Sequence, residues 1–494
     1  MLALIGLDAA SPAIVDELLA EDRLPHLSVL RASGTQLPLE TSASHFPAGV
    51  YPTVWSGVPL EQHGIYFPFM WSAAEQRVRF HMSFPFPIAM WERLARSGVR
   101  SVVLDAYESP VPETIDGLYL RGWQFRNRIV LRPAGAPAGT RRSWEARLGG
   151  ARRGEEVFGR PDERRLRRLA STLLAAPQRI ADLAVLAVQE VRPDLLVVGI
   201  PAVHIGGHQL WDPEAVMRDA RPGTGAELQA VLRRIYTEAD AAIGRIVESL
   251  PAGADVIVFS ALGMGPETSR RDALGSLLSA VLDGGRADGR SGRAWDFRAS
   301  VPSSLRARVA DLLPDGVAAS LAAALELRGV PWARTRAFAL PSDTVGYIRL
   351  NLRGRERAGL VAAADVDALI EEIQVGLTEF TLPSGAPAIS AVERIGDVVP
   401  EGPGSALLPD LVVHWSAEPA RPDEVLNSGS FGAVRRGVGS GRSGNHTADA
   451  WALVVPGAAR LKARSDRPDI VDLAATALGR FGLDHDGVEL LERP

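Results

Sequence analysis

An unbroken apolar run over residues 195–200 constrains the fold of this chain more than any other stretch. It follows a Pro-Asp pair and shows no alternation of polar and apolar residues, which predicts a strand buried on both faces of a parallel sheet. His204 and His208 follow the carboxyl end of this strand. Ligands bind at that end of strands in such sheets, and histidines four residues apart on a helix can reach a common metal ion. When such a pair occurs without other motifs, it is more often structural than a metal site, with one histidine packed in the protein and the other exposed to solvent.

The start of the chain has the same pattern as residues 195–208, an apolar strand followed by a polar residue and a helix. Residues 2–7 form another apolar run that ends at Asp8, and Ser11-Pro12 then predicts the start of a helix. A carboxylate at the buried edge of a sheet needs either a cation or several hydrogen-bond donors. Asp8 is therefore a candidate site residue, with hydrogen bonding to loop amides as the alternative.

The composition is that of a large globular protein. A length of 494 residues predicts a main α/β domain with insertions, or two lobes. The net charge of −5 favours neither nucleic acid nor an anionic membrane, and we find no apolar run long enough to cross a bilayer. The first residues lack an export signal, so we expect a cytoplasmic protein. Because the sequence has no cysteine, any metal must be held by histidine, carboxylate or hydroxyl groups.

Several motifs occur in the order found in one known family. They are Gly-Leu-Asp8, Ser56-Gly57-x-Pro59-x-x-x-His63-Gly64-Ile65, the Gly346–Gly354 segment, and Gly444-Asn-His446. With these motifs the chain resembles the alkaline phosphatase superfamily, and within it the type I phosphodiesterase/nucleotide pyrophosphatase branch. The resemblance implies an α/β three-layer sandwich with a mostly parallel central sheet, cap insertions and a smaller α+β lobe.

The resemblance and the composition together predict how the chain is divided. The predicted segments are residues 1–265 as the first part of the core with an insertion at 132–168, residues 266–340 as an insertion or arm, residues 341–425 as the smaller lobe, and residues 426–494 as the last part of the core.

The family's chemistry uses two divalent cations, usually zinc, beside a Thr or Ser nucleophile. The resemblance places the first metal site on His204, His208 and His446, where the family has one aspartate and two histidines. Three histidines suit one zinc ion, with manganese or iron as alternatives. His446 is expected in a glycine-rich, flexible loop. Asp8 matches the family's first-strand aspartate, and we expect it to act as a metal ligand and in catalysis.

The second metal site and the nucleophile of the family are not retained. The segment Ser260-Ala-Leu-Gly-Met264 stands where the family has Ser-Asp-His-Gly, so both ligands are replaced by apolar residues and at most one metal is expected. Spacing from Ser56 places the nucleophile at Pro47, whereas residue types place it at His45. His45 is then a candidate catalytic residue, as a general base, a nucleophile or a fourth ligand, or else a loop histidine without a role.

Two functions follow from these residues. The first is an altered metal-dependent hydrolase, or a repurposed enzyme, that acts on a phosphate ester or another small oxyanion. The alternative is a catalytically inactive pseudoenzyme that binds a small molecule or a protein partner. The expected partner is a phosphate-containing small molecule rather than nucleic acid or a membrane, and a homodimer is left open. The remaining histidines are read as structural or exposed, namely His26, His81, His414 and His485.

Overall fold

The structure is a computed structural model of the chain. It describes all residues except 127–131, 154–155, 157–158, 219–220, 284–322, 324–325, 328–329, 438, 463–465 and 493–494, and for 126 and 152–153 it describes the backbone alone. Its strands are β1 Leu2–Leu7, β2 Thr35–Leu39, β3 Phe69–Ser72, β4 Arg77–Phe80, β5 Ser101–Leu104, β6 Gly117–Arg121, β7 Phe125–Arg126, β8 Ala134–Ala136, β9 Arg152–Arg153, β10 Leu195–Ile200, β11 Asp255–Ser260, β12 Gly263–Pro266, β13 Ala337–Leu340, β14 Gly346–Leu350, β15 Ile389–Arg394, β16 Leu411–Trp415, β17 Val425–Ser428, β18 Gly432–Arg435, β19 Gly444–Thr447, β20 Ala450–Val455, β21 Arg460–Leu461 and β22 Leu491–Glu492.

The α-helices are α1 Pro12–Ala20, α2 Pro25–Ser33, α3 Val50–Ser56, α4 Leu60–His63, α5 Met90–Ala95, α6 Thr140–Leu148, α7 Glu163–Val191, α8 Ala202–Leu210, α9 Thr224–Glu248, α10 Arg271–Leu282, α11 Val366–Thr378, α12 Ile395–Val398 and α13 Val471–Arg480. Short 3₁₀ turns occupy Ser42–Ser44, Pro47–Gly49, His81–Ser83, Pro213–Ala215, Ala363–Asp365 and Ser405–Leu407.

The central sheet has the strand order β2-β20-β11-β1-β10-β5-β6-β8. Strands β20 and β8 run antiparallel to their neighbours, and the other neighbouring strands pair in parallel. Leu7 at the end of β1 lies beside Ile200 at the end of β10. Because the two parallel strands end at the same edge of the sheet, Asp8 lies next to the helix that follows β10.

Both faces of the central sheet are covered by helices. On β1, the side chains of Ala3 and Ile5 pack with α1, α2, α7, α8 and α9, whereas Leu2 and Leu4 pack with α3, α5 and α13. This alternation follows from the two-residue period of a strand. It confirms the predicted α/β class with a mostly parallel central sheet and explains why the strands are apolar on both sides.

Helix α7 is apolar and 29 residues long, enough by length and composition to cross a membrane. Half of its most apolar 18-residue window is buried inside the protein, and α7 packs along α9 in the core. A helix in the core of a globular protein can have the same length and apolar composition, so this helix is weak evidence for a membrane span.

A second, antiparallel sheet has the strand order β13-β14-β16-β15. It packs with α10 and α11 around its own apolar core and corresponds to the predicted smaller lobe. Its first strand begins before residue 341, and much of the predicted arm, residues 284–322, lies outside the described residues. The described part of the predicted 132–168 insertion contains β8, α6 and β9. The domain boundaries remain predictions.

Aromatic residues join the lobe to the core. Phe46 of the core is fully buried and stacks on Tyr347 of β14, with ring centroids 5.5 Å apart. The Tyr347 hydroxyl donates to the backbone oxygen of His45 at 2.8 Å. The segment around His45 is therefore held against the lobe by both packing and a hydrogen bond.

Candidate metal centre

Helix α8 presents two histidines on one of its faces, and all of its nine residues are buried. His204 and His208 are one turn apart, so their side chains point the same way, with ring centroids 4.6 Å apart. A Cβ atom on Gly207 would lie 2.6 Å from Cγ of Met264, so this glycine lets Met264 pack directly against the helix. The helix that carries the pair is thus held tightly by its surroundings.

A chain of hydrogen bonds orients both rings. The Asp8 carboxylate accepts a bond from the Tyr51 hydroxyl through Oδ1, and its Oδ2 lies 2.8 Å from His204 Nδ1. The Nε2 atoms of His204 and His208 are 2.8 Å apart. His208 Nδ1 donates to the backbone oxygen of Gly444 at 2.8 Å.

The partners of the two Nδ1 atoms determine where the imidazole hydrogens lie. A carbonyl oxygen only accepts, so Nδ1 of His208 carries a hydrogen, and a hydrogen on Nδ1 of His204 would be donated to the Asp8 carboxylate in the same way. In neutral rings both Nε2 atoms then direct a lone pair at each other. Two lone pairs 2.8 Å apart repel, so the pair requires a cation, which is either a proton or a metal ion.

His446 completes a group of three. It lies on β19, which pairs with β12 so that His446 is opposite Met264, and the predicted flexible loop at this residue was wrong. Its ring centroid is 4.7 Å from those of both His204 and His208. Its Nδ1 is buried and has no hydrogen-bond partner among the described residues. One ring nitrogen from each histidine lies within 4.8 Å of the other two, which fits a zinc ion with about 2.0–2.1 Å to each nitrogen after a small adjustment.

A charged network from the lobe lies behind His446. Oδ2 of Asp343 is 3.9 Å from His446 Nε2, and Oδ1 accepts bonds from Arg442 at 2.6 Å and from Arg271 at 2.9 Å. Burial raises the pKa of Asp343, but the two guanidinium groups outweigh burial and hold this pKa below its usual value. Arg442 also contacts Glu156 at 2.9 Å. The ionised Asp343 therefore supports a positive charge at the histidines.

Burial keeps two of the histidines neutral at pH 7. It lowers the pKa of His446 to about 3, with a further contribution from His204. Burial, followed by the charge of Arg442, lowers the pKa of His208 well below its usual value. A neutral imidazole offers the lone pair that a metal ion binds, so the electrostatics of the site favour a metal over a proton.

The segment that the resemblance aligns with the family's second-metal ligands carries apolar side chains. Ala261 and Leu262 are buried in the core below α3 and α13. The Ser260 hydroxyl donates to the backbone oxygen of Leu262 and accepts from the Ala10 amide, both at 2.8 Å. The described residues of this segment contribute no side chain to either group that could hold a metal ion, and the loss of the family's second metal remains a prediction.

Asp8 and His45 lie outside the group of three nitrogens. Asp8 stands behind His204, where it orients the ring. His45 Nε2 instead lies 2.8 Å from Oε2 of Glu393 in the lobe, and His414 Nε2 lies 2.9 Å from the same oxygen. The interpretation of His414 as a histidine without a constellation was therefore wrong. The predicted catalytic roles of Asp8 and His45 remain predictions.

His63 supports the loop after α4. Its Nδ1 accepts from the Ile65 amide and its Nε2 lies against the Thr53 hydroxyl, both at 2.9 Å. The Thr53 hydroxyl in turn donates to the Gly49 carbonyl oxygen at 3.3 Å. These contacts use both ring nitrogens and tie the loop to α3.

Sequence reasoning missed three side chains of the site. Tyr51 could have been considered, because it is a polar residue between His45 and Ser56, two positions that the sequence analysis singled out. Asp343 and Arg442 carry no signal of their own in the sequence, since their position depends on how the lobe docks against the core.

Comparisons with known proteins agree with this fold. The family model described as type I phosphodiesterase/nucleotide pyrophosphatase matches residues 2–387. A structure of phosphonoacetate hydrolase from Sinorhizobium meliloti 1021 in complex with phosphonoformate is 13% identical with a TM-score of 0.51, and the alignment covers 96% of this chain and 94% of that one. Human ectonucleotide pyrophosphatase/phosphodiesterase 5 is 11% identical with a TM-score of 0.47, over 99% of both chains. No curated protein matches the chain.

Proposed function

Since the chain belongs to the type I phosphodiesterase/nucleotide pyrophosphatase family of the alkaline phosphatase superfamily, we propose that it is a metal-dependent enzyme that acts on a phosphate ester or another small oxyanion. The proposed ligands are the nitrogens of His204, His208 and His446, and the proposed metal is zinc, with manganese or iron as alternatives. Because His204 stands where the family has an aspartate, the reaction can differ from the family's usual diester hydrolysis.

The observation that carries this proposal is the convergence of one ring nitrogen from each of the three histidines, all within 4.8 Å of one another. Nε2 of His204 and Nε2 of His208 lie 2.8 Å apart, and His446 Nδ1 is buried without a hydrogen-bond partner among the described residues. Buried imidazole nitrogens that meet in this way are stabilised by a cation. A zinc ion bound there would polarise a phosphoryl oxygen and acidify a water molecule.

The residues around the histidines have separate tasks in this proposal. Asp8 accepts the hydrogen on His204 Nδ1 and so holds that ring in the tautomer that binds metal. The Gly444 carbonyl does the same for His208. Arg442 and Arg271 keep Asp343 ionised near His446, which favours a cation at the site.

A metal analysis tests this site directly. Protein purified without chelators or added metal is expected to hold zinc, and His208→Ala is expected to lose about one equivalent per chain. His485→Ala is the control, because His485 pairs only with the Gly487 carbonyl oxygen and Glu489 among the described contacts. Equal metal content in the wild type and His208→Ala would reject the site.

Steady-state assays test the reaction. Because the sequence has Ala261 and Leu262 where the resemblance implies ligands of a second metal, we expect bis-aryl phosphodiesters with added zinc or manganese to give turnover well below about 1 per second. Aryl phosphate monoesters and phosphonoacetate belong in the same panel, since phosphonoacetate hydrolase shares the fold. Turnover with any of them that is lost in His208→Ala would support an enzyme.

The second candidate is an inactive binding protein. The apolar Ala261 and Leu262 and the histidine at position 45 favour it, because residues that act as a unit lose nearly all activity when one of them is replaced. In that case the same panel gives no turnover, while a phosphate-containing ligand raises the melting temperature of the wild type and not of His208→Ala.

A further inference from the structure

A second group of metal-binding side chains lies between the core and the lobe. His45 Nε2 and His414 Nε2 both contact Oε2 of Glu393, at 2.8 and 2.9 Å. One ligand atom from each of the three residues lies within 4.8 Å of the other two. The rings of His45 and His414 meet edge to face, with centroids 5.2 Å apart. The three side chains come from two parts of the fold, so the group forms only where the lobe contacts the core.

The backbone fixes the three side chains in place. Ala391 pairs with His414 across β15 and β16, and Glu393 is two residues further along the same face, so the two ligands are diagonal neighbours. His45 sits between two 3₁₀ turns, and its backbone oxygen accepts the bond from Tyr347 at 2.8 Å. The position of each ligand is therefore set by a sheet or by an anchored turn.

The hydrogen bonds around the group suit a metal ion. The Ser44 hydroxyl lies 2.8 Å from His45 Nδ1, which leaves Nε2 to face Glu393. A ring nitrogen held through its second nitrogen is the usual arrangement of a histidine ligand. Two imidazoles with one carboxylate suit zinc and leave at least one position for water or a substrate oxygen.

The exposure of the group allows an ion to enter. The side chains of His45, Glu393 and His414 are 23%, 39% and 23% exposed. The three-histidine group is more enclosed, with His208 fully buried. The two groups also share no residue, but the 42–44 turn before His45 packs against β19, which carries His446.

We propose that His45, Glu393 and His414 form a second zinc site, which joins the lobe to the core. This site is independent of the proposed function, because none of its residues belongs to the three-histidine group. It departs from the expectation of at most one ion, since it uses ligands other than those that the resemblance aligns with the family's second metal. In this site the core supplies His45, and the lobe supplies Glu393 and His414.

Zinc stoichiometry of variants tests the proposal. Wild-type protein dialysed against buffered zinc is expected to bind about two equivalents, and His414→Ala and Glu393→Gln are each expected to lose about one. His208→Ala is expected to lose the other, and the double variant His208→Ala/His414→Ala both. His485→Ala serves as the control and keeps both ions.

Several outcomes would overturn the proposal. One is a zinc content of His414→Ala and Glu393→Gln equal to that of the wild type. Another is a wild type that binds no ion, or that binds one ion which His414→Ala and Glu393→Gln both keep. Circular dichroism spectra establish that each variant is folded, and Glu393→Gln keeps the size of the side chain in case His414→Ala does not fold. Loss of zinc in His208→Ala alone would reject the second site while supporting the three-histidine site, so the two proposals fail separately.

Discussion

Among single residues, Asp8 has the clearest positioning role. Its carboxylate connects the Tyr51 hydroxyl to His204 Nδ1. We expect Asp8→Asn to weaken zinc binding by about 10- to 100-fold, because the amide no longer holds the hydrogen on His204 Nδ1 with a full negative charge. Competition with a chromophoric chelator measures the dissociation constant.

Asp105 provides a matched control for that variant. It also follows a strand of the central sheet, is buried, and accepts bonds from the amides of Trp123 and Gln124 at 2.8 and 2.9 Å. Asp105→Asn is expected to lower stability without changing the zinc dissociation constant. Equal zinc affinity in Asp8→Asn and wild type would show that Asp8 does not act through His204.

A pH dependence is expected from His63, which is 7% exposed. Burial lowers its pKa to about 4, from 6.5 in the unfolded chain. The unfolded state therefore binds more protons between these values, so the contribution of His63 to stability is complete above pH 6.5 and is lost as the pH falls toward 4. The loss is on the order of 3 kcal/mol.

Urea unfolding of wild type and His63→Asn between pH 7 and pH 4 measures this contribution. Other buried histidines titrate in both proteins, so the difference between the two profiles isolates His63. The wild type is expected to lose more free energy of unfolding than the variant as the pH falls. Parallel profiles would contradict the assignment.

At the residue scale, the sequence predicted that His204, His208 and His446 lie together, but not which side chains contact them. His204 and His208 could be found because a helical turn brings them together, and His446 because a motif marks it. Glu393 and His414 could not be found, since their contact with His45 depends on a strand register and on lobe docking that no local pattern encodes.

At the scale of the element, α8 is held by close packing at its two glycines. A Cβ atom on Gly207 would lie 2.6 Å from Met264 Cγ, whereas one on Gly206 would lie 3.1 Å from the terminal methyl groups of Ile235 and Leu232. We expect Gly207→Ala to destabilise the protein by about 1–3 kcal/mol through overpacking. Gly206→Ala is expected to be close to neutral, because the gain in helix propensity of about 1 kcal/mol offsets a smaller adjustment.

Unfolding in urea with a chelator present measures both variants without a contribution from metal. Met264→Ala in the Gly207→Ala background should restore part of the lost stability, because it removes the atom that the new methyl group meets. An equal effect of the two glycine substitutions would show that Met264 does not constrain the helix.

The strands could be predicted to different degrees. The apolar runs at 2–7 and 195–200 match β1 and β10 residue for residue, because burial on both faces leaves only apolar side chains. Strand β19 was missed because Gly444-Asn-His-Thr447 has the composition of a loop. Its extended form depends on pairing with β12, which is a tertiary contact.

At the scale of the whole molecule, Arg442 links distant segments. It is 7% exposed and bonds both Asp343, next to the lobe sheet, and Glu156, in the predicted insertion. We expect Arg442→Gln to lower the free energy of unfolding by about 3–5 kcal/mol, because the buried Glu156 loses its guanidinium partner and Asp343 keeps only Arg271.

Arg160 offers the control for this variant. Its partner is Asp423 at 2.7 Å, and the two side chains are 40% and 51% exposed. Arg160→Gln is expected to cost less than about 1 kcal/mol, because solvent screens an exposed pair. Denaturant titrations in the presence of a chelator compare the two variants, and losses of similar size would show that the Arg442 network is not a strong link.

The order of strands in the central sheet affects how this protein is assembled during synthesis. The edge strand β2 pairs only with β20 within the described part of the sheet, and β20 is made roughly 400 residues later. At a translation rate of about 5–20 residues per second, β2 waits about 20–80 s for its partner. Until β20 is made, the backbone N–H and C=O groups on one side of β11 lack their strand partner. Unpaired strand edges of this kind favour aggregation. His446 emerges only just before β20, so the ribosome must release almost the entire chain before the three histidines can come together.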